Sequence, residues 1–159
     1  MFKIIGLSSA LLLSSAITAF ANVEHLGTTE GDWEIIRDTS DGKMCLMTSQ
    51  FSDETHIQLI ADVSSDKIIM TLLNAGWTMV VDQDYPLEVH LDGNEYEGTV
   101  TGFESEGLNG LYLDIENTEF LSDLMSAKAM TLVEDGEAIM SYDLIGTMQA
   151  VPAVFECLE

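Results

Sequence analysis

The sequence predicts a mainly β protein: a single antiparallel β-sandwich or barrel-like domain with two short helices in its C-terminal third. Three observations carry this. Short apolar segments recur at regular spacing, several of them alternating with polar residues as half-buried strands do. Asp-Gly turn signals separate them at hairpin distance, at Asp41-Gly42, Asp92-Gly93 and Asp135-Gly136. Helical spacing takes over only past Glu116, where Phe120, Leu121, Leu124 and Met125 form a stripe.

The first hairpin runs from Asp32 to Phe51. Trp33, Ile35 and Ile36 precede a turn at Ser40-Asp41-Gly42, and Met44 to Met47 follow it. Asn22 to Gly31 lacks periodicity and reads as a loose lead-in. Glu54 to Asp62 alternates, with Ile57, Leu59 and Ala61 on one face. Lys67 to Leu73 is nearly all apolar, which predicts a strand covered on both faces. Asn74-Ala75-Gly76 breaks that run, and Trp77 to Val81 is apolar again. Tyr85-Pro86 opens the next strand, where a proline is tolerated at the first position. After the Asp92-Gly93-Asn94 turn, Tyr96 to Phe103 returns. Gly107 to Gly110 reads as a loop, and Leu111, Leu113 and Ile115 alternate on a further strand.

Asn117 or Thr118 caps the first helix, with Glu119 in its first turn and Lys128 near its end. Met130 to Val133 and Ala138 to Ile145 pair about Glu134-Asp135-Gly136. Gly146-Thr147 starts the second helix, in which Pro152 calls for a kink or a late start. The expected core is Trp33, Ile35, Leu46, Ile57, Leu59, Ile69, Leu72, Leu87, Val89, Leu113, Ile115, Leu121, Leu124, Leu132 and Leu144.

Residues 1–21 read as a signal peptide: Lys3, an uncharged apolar stretch from Ile4 to Phe20, and the small-x-small end Ala19-Phe20-Ala21. Residues 22–159 are then one β-rich domain, periplasmic or secreted, with no membrane span after signal removal. Two cysteines in an exported chain predict one disulfide, Cys45–Cys157.

The charge is lopsided. The chain has 28 acidic residues against 5 Lys and Arg, for a net charge of −23. All the acids lie beyond Ala21, so loss of Lys3 with the signal makes it −24. Such a surface repels nucleic acid and anionic lipid, whose binding requires Lys and Arg. The expected partner is a protein of unknown identity, cationic where charge does the recruiting.

No constellation of catalytic residues emerges, and the expectation is that there is none. His25, His56 and His90 lie on loose or polar positions without metal-site spacing. Paired carboxylates are frequent because acids are frequent, and none fits a calcium loop. The sequence also lacks a nucleophile elbow and a phosphate-cradling glycine loop. Most methionines fall at core spacing, which favours packing over copper ligation. No cofactor and no metal are expected. Trp33, Trp77, Tyr85 and Tyr96 are either core anchors or the aromatic surface of a binding groove.

Taken together, an early Trp33, Cys45 on the next strand, Trp77, the strand Tyr85 to Glu88, Leu144-Ile145-Gly146, Ala150 and a terminal Cys157 resemble uncharacterised small periplasmic proteins of alphaproteobacteria. The early Trp, a Cys and the late apolar-Gly-x-x-Ala segment are also similar to the invasion-associated locus B family. Both resemblances imply an exported envelope protein and bring no catalytic residue. The composition and the resemblance point to a non-catalytic binding or accessory protein. The alternative is an acidic inhibitor of a cationic envelope enzyme such as a lysozyme.

Overall fold

A computed structural model describes residues 22–40 and 44–159. The leader segment and the Asp41-Gly42 half of the first turn lie outside these residues. Ten strands form one antiparallel sheet: β1 (Val23–Thr28), β2 (Glu34–Asp38), β3 (Met44–Gln50), β4 (His56–Asp62), β5 (Lys67–Asn74), β6 (Asp84–Leu91), β7 (Asn94–Ser105), β8 (Leu108–Asp114), β9 (Ala129–Glu134) and β10 (Glu137–Asp143). Helices α1 (Thr118–Ser126) and α2 (Thr147–Glu156) complete it. The spatial order is β1-β2-β3-β4-β5-β8-β7-β6-β9-β10. Strands β1 to β5 meander. A crossover from β5 to β6 then lets the meander β6-β7-β8 return against β5, as in a Greek key.

Every strand is bonded into one sheet, whose edge strands β1 and β10 do not pair with each other. The sheet curls so that segments beside its two edges come together. Tyr142 on β10 reaches the Thr55 hydroxyl ahead of β4 at 3.2 Å, and Phe51 stacks edge-on against Tyr142 with ring centroids 5.0 Å apart. Trp33 donates its indole N–H to the Ile145 carbonyl at 3.0 Å. Alternation decides the concave face: Ile35, Met47, Leu59, Met70, Leu72, Leu111, Val89 and Leu132 all point into one core. Helix α2 adds Ala150, Val151 and Val154 against β2, β3 and β4, and α1 adds Phe120 and Leu124.

Several expectations need correction. Asn22 to Gly31 is not a loose lead-in: most of it is β1, paired along β2. It buries almost nothing, so it leaves no apolar alternation to read. Of the expected core, Leu46, Ile69, Leu113, Ile115 and Leu121 are only half-buried. On β3 the inward residues are Cys45 and Met47, one position away from Leu46. Leu108 to Gly110 belongs to β8 rather than to a loop, because Glu106-Gly107 alone makes the turn. The apolar segment Trp77 to Val80, for which the sequence specifies no element, lies on the irregular crossover from β5 to β6. Helix α2 begins at Thr147 and runs across Pro152, so the late start is not seen.

Other expectations hold. Asn117 caps α1 by accepting from the Glu119 amide at 2.8 Å. The β5 run is buried on both faces from Met70 to Asn74. The two outermost strand pairs, β1–β2 and β9–β10, each carry a register break, which twists an edge away from further pairing.

Candidate functional site

Cys45 and Cys157 come together as a disulfide pair, their Cα atoms 6.1 Å apart. The pair joins the inward face of β3 to the end of α2. Arg37, opposite Cys45 on β2, donates from Nε to the Cys157 carbonyl at 3.1 Å. A guanidinium there satisfies a helix-terminal carbonyl and opposes the dipole.

The four aromatic residues named from the sequence do not form one surface. Trp33 is 1% exposed and belongs to the core, so it is removed from any binding surface. Trp77 is half-buried on the β5–β6 crossover, where the Asn109 amide donates to its carbonyl at 2.7 Å. Tyr85 is half-buried, and its hydroxyl accepts from the Val80 amide at 3.0 Å. Tyr96 lines an open cleft.

That cleft is the best-defined candidate site. β7 has twelve residues and β8 has seven, and the two pair only between Thr101–Ser105 and Leu108–Tyr112. Before Thr101, β7 stays on β6 and leaves β8. The gap holds about 310 Å³, lined by Leu87, Val89, Val100, Leu113 and Phe120, with Glu97, Thr99, Asp114 and Glu116 around it. Helix α1 closes its far side. Tyr96 packs edge-on against Phe120, centroids 5.0 Å apart, and donates to Asp123 Oδ2 at 2.6 Å. Asn94 Nδ2 donates to the same oxygen at 2.6 Å. The Asp123 hydrogen bond, then burial and the Asp123 charge, push the Tyr96 phenol up to about 12.

Glu97, Asp114 and Glu116 are exposed, and Asp123 is half-buried with Tyr96 and Asn94 as its partners. A second, more polar hollow of about 610 Å³ lies beyond the Asp114–Glu116 segment, crossed by an ion pair between Lys67 and Asp114 at 2.9 Å. Among the described residues, no three His, Cys, Asp or Glu side chains converge as metal ligands. No helix among them is long and apolar enough to cross a membrane.

The sequence reading missed the cleft. Its cause is a mismatch in length between two strands, β7 and β8, which no local pattern signals. No family model matches the chain, and no curated protein or solved structure matches it either.

Proposed function

We propose that the chain is a non-catalytic, exported binding or accessory protein of the bacterial envelope that recognises a cationic protein partner. The observation that carries this is the uncompensated acidity of the surface. Only four cation–carboxylate contacts within 4 Å occur among the described residues, made by His25, Arg37, Lys67 and His90. Most of the 28 acids therefore face water without a cation beside them. Local hydrogen bonds hold several firmly ionised. Asp62 lies below its usual range because Ser64 and Ser65 donate to it, and Asp92 because the Lys128 and Ala129 amides do. Such a field steers a basic protein and repels nucleic acid and anionic membranes. The disulfide pair suits an oxidising compartment, and so does the resemblance to exported alphaproteobacterial proteins.

The test is capture from an envelope extract by the purified chain, at low salt and near 1 M salt, where charges are screened beyond about 3 Å. A basic protein should be retained at low salt and released at high salt. Capture of nothing at either salt would sink the reading. So would hydrolysis of a cell-wall glycan that a single Asp→Asn or Glu→Gln change abolishes. The narrower alternative, an inhibitor of a cationic enzyme such as a lysozyme, shares the same electrostatics. A fall in lysozyme turnover on addition of the chain separates it from simple binding.

A further inference from the structure

The gap beside β7 exposes backbone as well as side chains. In the hairpin β6–β7, Leu91 pairs with Asn94 across the Asp92-Gly93 turn. In β7–β8, Ser105 pairs with Leu108 across Glu106-Gly107. A two-residue turn is closed by a pair that exchanges both hydrogen bonds, and the direction of the amide groups then alternates along each strand. Both turns give the same parity. Asn94, Tyr96, Gly98 and Val100 direct their N–H and C=O groups at β6. Glu95, Glu97 and Thr99 direct theirs at the gap, where β8 has already turned away. The Gly102 amide confirms the count, since it donates to Gln83 on the β6 side at 2.8 Å. The outermost strand pairs carry register breaks; β7 carries none over this length.

We propose that this inner edge receives an extended segment of a cationic partner as an added strand along Glu95–Thr99. Its alternate residues place one apolar side chain over Val100, Leu113 and Phe120 and basic side chains against Glu97, Asp114 and Glu116. This is β-augmentation, in which backbone hydrogen bonds give affinity and alternating pockets give choice of sequence. The occupant is a basic segment because the acids around the gap demand it. A second copy of this chain would bring its own negative field against Glu97 and Glu116. The inference rests on the cationic-partner reading above and adds to it the place and the mode of binding.

The probe is the acetylated and amidated peptide Lys-Leu-Lys-Leu-Lys-Leu-Lys, titrated against the purified chain at low salt. Two further versions carry N-methyl groups, one on the Leu amides and the other on the Lys amides. Charge and sequence match between these two, which differ by a single methyl group (three against four), but only one set of amides faces β7. We expect the parent to bind and one methylated version alone to lose about tenfold or more, the cost of missing backbone hydrogen bonds. Loss in both, loss in neither, or no binding by the parent overturns the proposal. Thr99→Pro removes an N–H that faces the gap and leaves the β6 ladder intact, so it should weaken the parent peptide similarly at an unchanged unfolding midpoint. If that variant does not fold, Gly98→Val carries the same expectation, since a Cβ there meets only Leu113 Cδ1 at 3.7 Å and further atoms enter the cleft. Undiminished binding by the folded variant overturns the proposal. A basic protein still captured in a salt-sensitive way by Thr99→Pro or Gly98→Val would reject the gap and leave the cationic-partner reading standing. Absence of any captured partner would reject that reading itself.

Discussion

The curled sheet has two places where neighbouring segments could part, and it treats them in opposite ways. Where the segments beside its two edges come together, close packing and hydrogen bonds tie them. Glu30 and Gly31 press against Ile145 and Gly146 so closely that a Cβ on Gly146 would sit 1.6 Å from the Glu30 carbonyl oxygen. Trp33 bonds to Ile145, and the buried Tyr142, Thr55 and Asn74 share one hydrogen-bond network with the exposed Asp53. The disulfide pair and Arg37 fix α2 alongside. Where β7 leaves β8, there is no covalent tie and no side chain fills the gap. One seam is built for stability, while the other leaves three residues of unpaired strand open to solvent. A fold that blunts its two outermost strand pairs with register breaks and leaves an inner edge straight has kept that edge available.

This contrast assigns large stability effects to the first seam and small ones to the second. The largest expected loss comes from Cys45→Ser with Cys157→Ser. Their sequence separation of 112 makes the bridge a constraint on nearly the whole unfolded chain. Its removal should lower stability by about 4 kcal/mol in denaturant titration. Equal midpoints with and without reductant for the native sequence would show that the bridge constrains nothing. Gly146→Ala should follow at about 3 kcal/mol. Its φ of +90° is a glycine conformation, and the added methyl overlaps the Glu30 carbonyl. A change under about 0.5 kcal/mol would mean the segments beside the two edges of the sheet are not pressed together.

Tyr96→Phe tests the hinge between β7 and α1. At neutral pH it removes one hydrogen bond to a carboxylate and should cost about 1 kcal/mol. Its pH dependence is more diagnostic. The unfolded phenol loses its proton near 10 and the folded one near about 12, so between these values the folded state holds more protons. The contribution of Tyr96 is therefore complete below about pH 10 and is lost as pH rises through about 12. Lys67 and Tyr142 are also raised and share this alkaline slope, but they remain in the variant. The gap in unfolding midpoint between native and Tyr96→Phe proteins should narrow from pH 9 to 12. Parallel curves would mean that Tyr96 does not donate to Asp123.

Sequence patterns reached as far as local physics reaches. Hairpin turns, the Asn117 cap and the doubly covered β5 follow from residue types a few positions apart, and the Cys45–Cys157 pair follows from there being only two cysteines. β1 escaped because a strand that buries nothing carries no alternation. Trp33 looked as suited to a groove as Tyr96 because an indole has an apolar body and one N–H. Only the long-range partner, Ile145 for one and Asp123 for the other, separates a core anchor from a cleft wall. The cleft depends on where β8 stops relative to β7, a relation between strands that no single stretch encodes.

Gly98→Ala is the smallest expected effect and the sharpest control, because it is the same chemical change as Gly146→Ala at the other seam. Gly98 sits opposite Leu87 on β6 and outside the left-handed region, and its added Cβ would make only an ordinary contact with Leu113. An alanine there restricts the unfolded chain without straining the fold, so stability should hold or rise by about 0.5 kcal/mol. The two glycines thus predict opposite signs for one methyl group. A loss at Gly98 as large as that at Gly146 would show that β7 and β8 close against each other in solution. The gap would then be no groove, and the comparison between a tied seam and an open one would fail. A neutral or stabilising result keeps the gap open, and Gly98→Ala then becomes the folded background in which larger side chains at position 98 can be graded against peptide affinity.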